Sequence, residues 1–273
     1  MQRILVPTDF TPVAGNAVGH GLELAIRLHH HLCLLHVFGG GENGPGLAEA
    51  NRRIRREQEE CLTRCGKDRP VRIEALVREG NLFRVVNEVS AGLRPRLMIL
   101  GTHGKKGLQH LYGSYALRMV LDAPCPVIVV HDRPFSEGYR RILLPVTVAL
   151  EPMVVAGLMK DLARLFRPSV VLFVPGGASG EQEAVERVLL NETNTLLKKL
   201  KVEVTRVQGG EGPGLAKQVM NAAQAHTCDL VMAATLPGGD VTAFSLAEWT
   251  EQLMFNPHRL PVLFLGQSDL PGK

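Results

Sequence analysis

A chain of 273 residues, 45% hydrophobic and 21% charged, has the composition of a globular protein and enough length for two domains with separate cores. Its formal charge of +4 is spread over 31 basic and 27 acidic residues that interleave along the chain, which argues against a nucleic-acid partner. Aromatic residues at 5%, against abundant Val, Leu, Ile and Ala, favour buried parallel strands and helices over an antiparallel sandwich.

In chain order, Ile4-Leu5-Val6 is a short apolar strand stopped by Pro7, and residues 12–29 carry apolar side chains at helical spacing. Cys33-Leu34-Leu35-His36-Val37 reads as a second strand. Residues 47–65 form a charged helix in which Arg52, Arg53, Arg55 and Arg56, with Glu57, Glu59 and Glu60, make a solvated face paired three or four residues apart, with an anion-docking patch as the alternative. Val71 to Val77 alternates as a third strand, 82–92 is helical, and Leu97-Met98-Ile99-Leu100 is a fully apolar strand. A glycine-rich loop leads to a helix near 114–122 and a last strand at Val127–Val130. This alternation predicts an α/β fold with a parallel sheet.

The pattern then restarts. Arg3-Ile4-Leu5-Val6-Pro7 returns as Arg141-Ile142-Leu143-Leu144-Pro145, and Leu35-His36-Val37 is matched with Leu172-Phe173-Val174. Leu97-Met98-Ile99 returns as Leu230-Val231-Met232, and Pro126-Val127-Ile128 as Pro261-Val262-Leu263. Matches in the same order point to an internal duplication with domains at 1–132 and 139–268, joined by the polar segment His131–Gly138.

The five cysteines show neither disulfide nor zinc spacing, which predicts a reduced protein. Met1-Gln2-Arg3 leads straight into a strand, and no apolar run reaches membrane-spanning length, so the expectation is a cytoplasmic protein with no membrane partner. The three consecutive histidines at 29–31 spread around a helix end and cannot converge on one metal ion. Neither a Walker-type phosphate loop nor a nucleophile-elbow or zinc-protease motif occurs, so no catalytic residue is assigned.

The segment that carries chemistry is Gly101-Thr102-His103-Gly104-Lys105-Lys106-Gly107, at the carboxyl end of an apolar strand, followed by Gly113-Ser114. Glycines let backbone N–H groups approach an anion, and a helix opened by Ser114 as N-cap would add its own unpaired N–H groups. His103 either touches a phosphate or shapes the turn. Lys105 and Lys106 either add charge at a triphosphate or are solvated.

These residues, with Ile4-Leu5-Val6-Pro7-Thr8-Asp9, Leu34-Leu35-His36-Val37 and Ala123-Pro124-Cys125-Pro126-Val127, make the first repeat resemble a universal stress protein domain. The ATP-binding members of that family carry Gly-x2-Gly-x9-Gly-Ser/Thr. The resemblance implies two tandem open five-stranded sheets of strand order 3-2-1-4-5, Rossmann-like and akin to the adenine nucleotide alpha hydrolases. It also implies last strands paired about a pseudo-two-fold axis as an intrachain pseudo-dimer, with a homodimer left open.

By the same resemblance, Asp9 and Val37 would lie at the ribose and adenine, and Gly101 and Gly104 at the phosphates. Gly113 and Ser114 would stand at the helix end, with Pro7, His103 and Tyr115 completing the set. The implied ligand is ATP or AMP, with Mg2+ accompanying ATP, in a stress-response binding protein; the alternative is an interaction scaffold of the same fold. Eight residues rather than nine separate Gly104 from Gly113, which is expected to weaken the phosphate end more than the base end. In the second repeat Thr147 replaces Asp9, Ala234-Thr235-Leu236-Pro237 replaces the glycine motif, and Leu246-Ala247 stands opposite Gly113-Ser114, so no second site is expected.

Overall fold

Arg3–Pro7 forms β1, whose Ile4, Leu5 and Val6 are wholly buried, as expected of a parallel strand covered on both faces. The computed structural model describes residues 2–39, 46–66, 69–102, 110–135, 138–176, 180–210, 214–235 and 243–266, with backbone alone for 110–115 and 243–247. The chain divides into two units, residues 1–135 and 136–273.

The first unit runs β1, α1 (Pro12–Leu28), β2 (His31–Phe38), α2 (Leu47–Cys65), β3 (Ile73–Glu79), α3 (Leu82–Leu93), β4 (Leu97–Gly101), α4 (His110–Leu121) and β5 (Val127–Val130). Its strands are all parallel and ordered β3-β2-β1-β4-β5. Right-handed crossovers then put α1 and α2 on one face and α3 and α4 on the other. The order reverses between β1 and β4, the position where open sheets of this kind offer a crevice at their carboxyl ends.

Local chemistry sets the helix ends. Thr11 caps α1, its hydroxyl accepting from Ala14 N–H, and Pro12 occupies the first turn, where no N–H is needed. His29 closes α1 in the left-handed conformation, and Asn81 caps α3 by accepting from Arg84 N–H. On α2, Ala50, Ile54, Cys61 and Cys65 form the buried stripe, while Arg56 pairs with Glu60 in solvent. All five cysteines are free and buried.

Two sequence-based boundaries shift. β3 begins at Ile73 rather than Val71, because Leu32 N–H takes the Arg72 carbonyl and the Cα pairing with β2 starts one residue later. α4 begins at His110, so Gly113 and Ser114 lie inside the helix and Ser114 is not its N-cap.

The segment read as a linker starts on the first unit. Asn16 Nδ2 donates to the His131 carbonyl at 3.1 Å, and His20 Nε2 donates to the Arg133 carbonyl at 3.0 Å. Phe135 then packs edge-on against His20. Burial holds the His20 pKa below its ordinary value, only partly opposed by the Arg133 hydrogen bond.

The second unit runs β6 (Arg141–Pro145), α5 (Pro152–Phe166), β7 (Ser169–Val174), α6 (Glu181–Lys199), β8 (Glu203–Gln208), α7 (Leu215–Ala225), β9 (Leu230–Ala234), α8 (Ala243–Met254) and β10 (Val262–Leu265). The strand order is β8-β7-β6-β9-β10, all parallel. Asp229 binds the backbone N–H groups of Arg140 and Arg141, tying the start of β6 to β9. Burial is the main reason its pKa is raised, with those hydrogen bonds opposing. No helix among the described residues is long and apolar enough to cross a membrane.

Pairing registers correct the repeat alignment. Pro7 stands beside Leu35 and Pro145 beside Phe173, so Leu35 corresponds to Phe173 and not to Leu172. The counterpart of Val37 is therefore Pro175.

Candidate functional site

The carboxyl ends of β1, β2 and β4 bring together Pro7 and Asp9, Val37, and Gly101. After β1 the chain makes a tight turn. Thr8 N–H donates to the Leu35 carbonyl at 2.8 Å, extending the ladder by one residue, and Thr8 Oγ1 accepts from Phe10 N–H at 3.2 Å. Phe10 has φ of +65°, a left-handed conformation that a bulky residue holds only when its surroundings enforce it.

Asp9 is exposed, and its Oδ1 accepts from both Thr11 N–H at 3.0 Å and Thr11 Oγ1 at 2.6 Å. One carboxylate oxygen thus fixes the entry to α1. Its Oδ2 has no hydrogen-bond partner among the described residues and is open to an incoming hydroxyl or amine. Val37, half-buried near the carboxyl end of the neighbouring strand β2, supplies an apolar surface at the same edge of the sheet.

Side chains from the neighbouring elements brace the turn. His36 Nδ1 lies 2.8 Å from the Thr8 carbonyl oxygen, so Nδ1 carries the proton. The Phe10 ring lies 4.4 Å from the His36 ring, and the Arg53 guanidinium stands over Phe10 at 4.3 Å from the ring centre. Glu57 Oε1 accepts from the Thr8 hydroxyl at 3.3 Å. Burial raises the Glu57 pKa above the ordinary glutamate value; the Thr8 hydrogen bond opposes this, the Glu60 and Asp9 charges add to it, and Arg53 lowers it. Arg53 and Glu57 therefore do not belong to the purely solvated face that the sequence pattern suggests.

Gly101 has a reason to be glycine that motif reading misses. A Cβ there would lie 2.6 Å from the Val13 carbonyl oxygen and 3.1 Å from Ala14 N, both backbone in the first turn of α1. β4 and the start of α1 are thus in contact without an intervening side chain. Thr102 follows, buried, its N–H donating to the Val130 carbonyl.

His103 and Gly104, with Lys105 and Lys106, lie outside the described residues. The backbone of Gly113, Ser114 and Tyr115 is helical, and their side chains are outside the description. Among the described residues no group of three His, Cys, Asp or Glu side chains could hold a metal ion.

The second unit repeats the frame with different contents. Val146 N–H donates to the Phe173 carbonyl at 2.8 Å, as Thr8 does to Leu35, but Thr147 stands where Asp9 stands and gives its carbonyl to Leu150 N–H. Pro175, in the place of Val37, has no N–H to offer. Next to it, a Cβ on Gly176 would lie 2.3 Å from the Gly210 carbonyl oxygen, while Gly176 N–H donates to Gln218 Oε1. At the end of β9, the Ala234 carbonyl accepts from the Trp249 indole N–H at 3.3 Å. A protein group therefore takes the carbonyl at the end of β9, and the turns after β7 and β8 approach each other backbone to backbone.

Of the residues singled out in the sequence, the structure gathers Pro7, Asp9, Val37 and Gly101. Thr8 enters the sequence reading only as part of the strand-end motif and Arg53 and Glu57 only as part of a charged helix face, while Phe10 and Thr11 carry no reading there. Phe10 and Thr11 sit within local sequence, and only the spacing of Arg53 and Glu57 on one helix face hints at a shared target.

Comparisons with known proteins agree with this frame. Residues 1–131 match the model of the universal stress protein family. A universal stress protein of Methanocaldococcus jannaschii is 28% identical over 145 residues, 50% of this chain and 85% of that protein. A universal stress protein structure from Archaeoglobus fulgidus superimposes with a TM-score of 0.72 at 11% identity, covering 97% of this chain and 96% of the other. A Pseudomonas aeruginosa protein of unknown function does so with a TM-score of 0.63 at 17% identity, covering 98% and 94%.

Proposed function

Because this chain belongs to the universal stress protein family through its first unit, we propose that it is a stress-response protein that binds one adenine nucleotide per chain, at the carboxyl ends of β1, β2 and β4. The observation that carries this reading is Asp9, with one oxygen holding the start of α1 and the other without a partner among the described residues, at the strand ends where the half-buried Val37 also lies. The open oxygen suits the hydroxyls of a ribose, and Val37 suits the face or edge of a purine. Gly101, Gly104, Gly113 and Ser114, with His103 and Tyr115, supply the phosphate end by family resemblance. ATP or AMP is the ligand, and Mg2+ accompanies ATP on its phosphates.

The second unit is a degenerate copy that serves as a structural or regulatory partner. Thr147 lacks the carboxylate, Pro175 lacks the N–H, and Trp249 takes the strand-end carbonyl. The protein acts as a binding protein rather than an enzyme, inside the cell, where its free cysteines stay reduced.

The second reading, an interaction scaffold that binds no nucleotide, is favoured by the eight residues between Gly104 and Gly113. Mass spectrometry of small molecules released from freshly purified protein separates the two. An adenine nucleotide that is present with the wild type and absent with Asp9→Ala supports the proposal. No nucleotide from either protein, together with no adenosine binding at millimolar concentration, supports the scaffold.

A further inference from the structure

The nucleotide reading uses Asp9 and Val37 but leaves Glu57 without a role, although Glu57 is the acidic group most closely tied to the Asp9 turn. Its Oε1 accepts from the Thr8 hydroxyl at 3.3 Å, and the same Thr8 oxygen accepts from Phe10 N–H at 3.2 Å. Thr8 is buried and its hydroxyl carries a single proton, so the two hydrogen bonds run in series from the Phe10 amide through Thr8 to the carboxyl group of α2. An acceptor at Glu57 orients the Thr8 proton away from Phe10 and leaves a lone pair facing the amide. Phe10 meanwhile sits at φ +65°, a conformation that reverts unless it is held.

Glu57 Oε2 is buried and has no hydrogen-bond partner among the described residues. A carboxyl group kept there gains less from its own solvation than it would in water, so its place in the fold rests on the one bond it makes. His36 and Arg53 both contact the ring of Phe10, and His36, from β2, also donates to the Thr8 carbonyl. The link from α2 to the backbone of the turn runs through Glu57.

We propose that Glu57 is a positioning residue for the Asp9 site, acting through the Thr8 hydroxyl to hold the Thr8–Phe10 turn so that the open oxygen of Asp9 faces the ligand. The ligand it serves rests on the nucleotide reading above; the hold on the turn does not.

The experiment measures two quantities on the full chain, the hydrogen-exchange rate of the Phe10 amide without ligand and the affinity for adenosine. Glu57→Leu removes the acceptor, and Glu57→Gln keeps one. Thr8→Val removes the hydroxyl, and Thr8→Ser keeps it. Losing one hydrogen bond from such a chain is worth about tenfold in an equilibrium. Glu57→Leu and Thr8→Val should each speed Phe10 exchange about tenfold and weaken adenosine by about as much. The double variant should be little worse than either single one, because both cut the same chain of bonds. Glu57→Gln and Thr8→Ser should stay within about twofold of the wild type.

Unchanged Phe10 exchange in Glu57→Leu overturns the proposal, as does a loss in Glu57→Gln equal to that in Glu57→Leu. If Glu57→Leu does not fold, Thr8→Val against Thr8→Ser decides by the same readout. If the wild type binds no adenosine, the nucleotide reading fails while the Phe10 amide still decides whether Glu57 holds the turn.

Discussion

Replacing Gly101 with alanine puts a methyl carbon 2.6 Å from the Val13 carbonyl oxygen, 2.9 Å from the Val13 carbonyl carbon and 3.1 Å from Ala14 N. These are backbone atoms in a helix turn pinned by the Thr11 cap, so they cannot swing aside as the end of a long side chain would. The φ of Gly101 lies outside the left-handed region, and alanine has no conformational objection to the site. Alanine even recovers about 0.5–1 kcal/mol of chain entropy relative to glycine. A methyl at 2.6 Å from backbone that cannot move falls at the upper end of the overpacking cost, about 2–3 kcal/mol, so the net effect should be a destabilisation of about 1–2.5 kcal/mol.

The assay is urea unfolding combined with hydrogen exchange of peptides from β4 and α1, which localises the loss to the first unit. Adenosine affinity should fall as well, since the displaced turn begins beside Asp9. The second unit supplies the control, because Ala234 occupies the matching position in β9. Ala234→Gly should cost only the entropic about 0.5–1 kcal/mol. A Gly101→Ala protein as stable as the wild type, or more stable, would refute the argument that β4 and α1 meet backbone to backbone with no room between.

Burial makes folded Glu57 hold its proton more tightly than the unfolded chain does, so stability falls as pH rises from the ordinary glutamate range through the raised pKa. Glu57→Gln cannot ionise. Its melting temperature should gain on the wild type as pH rises above the ordinary glutamate range, until Glu57 is fully ionised, and a constant difference would contradict the shift. Asn256 is buried, donates through Nδ2 to the Leu253 and Leu260 carbonyls, and accepts from Leu260 N–H, each at 2.9 Å. Asn256→Ala should therefore lower the unfolding free energy by about 2–4 kcal/mol in urea titrations, and a loss below about 1 kcal/mol would mean water replaces the amide. Inserting one residue after Lys106 should raise ATP affinity in calorimetry and leave adenosine nearly unchanged, whereas equal gains would show that the short loop has adapted.

The central strands were legible because each is a short apolar run buried on both faces, unlike the more exposed edge strands β3 and β8, and their alternation with helical spacing leaves few topologies. The start of α4 was not legible: Gly113-Ser114 has the look of a capping pair, yet residues 110–112 also favour helix, and a serine can stay inside one. The repeat register failed for a related reason. In a buried strand one aliphatic residue replaces another freely, so Leu35 aligned with Leu172 as readily as with Phe173, and pairing with the neighbouring strand alone fixes the choice. At the site, Asp9 and Gly101 stood in recognisable local patterns. Glu57 did not, because it meets Thr8 across 49 residues of sequence and looks like one more charge on a polar helix.

The central claim is one nucleotide site per chain, in the first unit. Isothermal titration of the full chain with adenosine and with ATP tests it most directly. The account predicts a stoichiometry of one for each ligand, abolished by Asp9→Ala and untouched by Thr147→Ala. Two equivalent sites per chain, or full binding by Asp9→Ala, would contradict it.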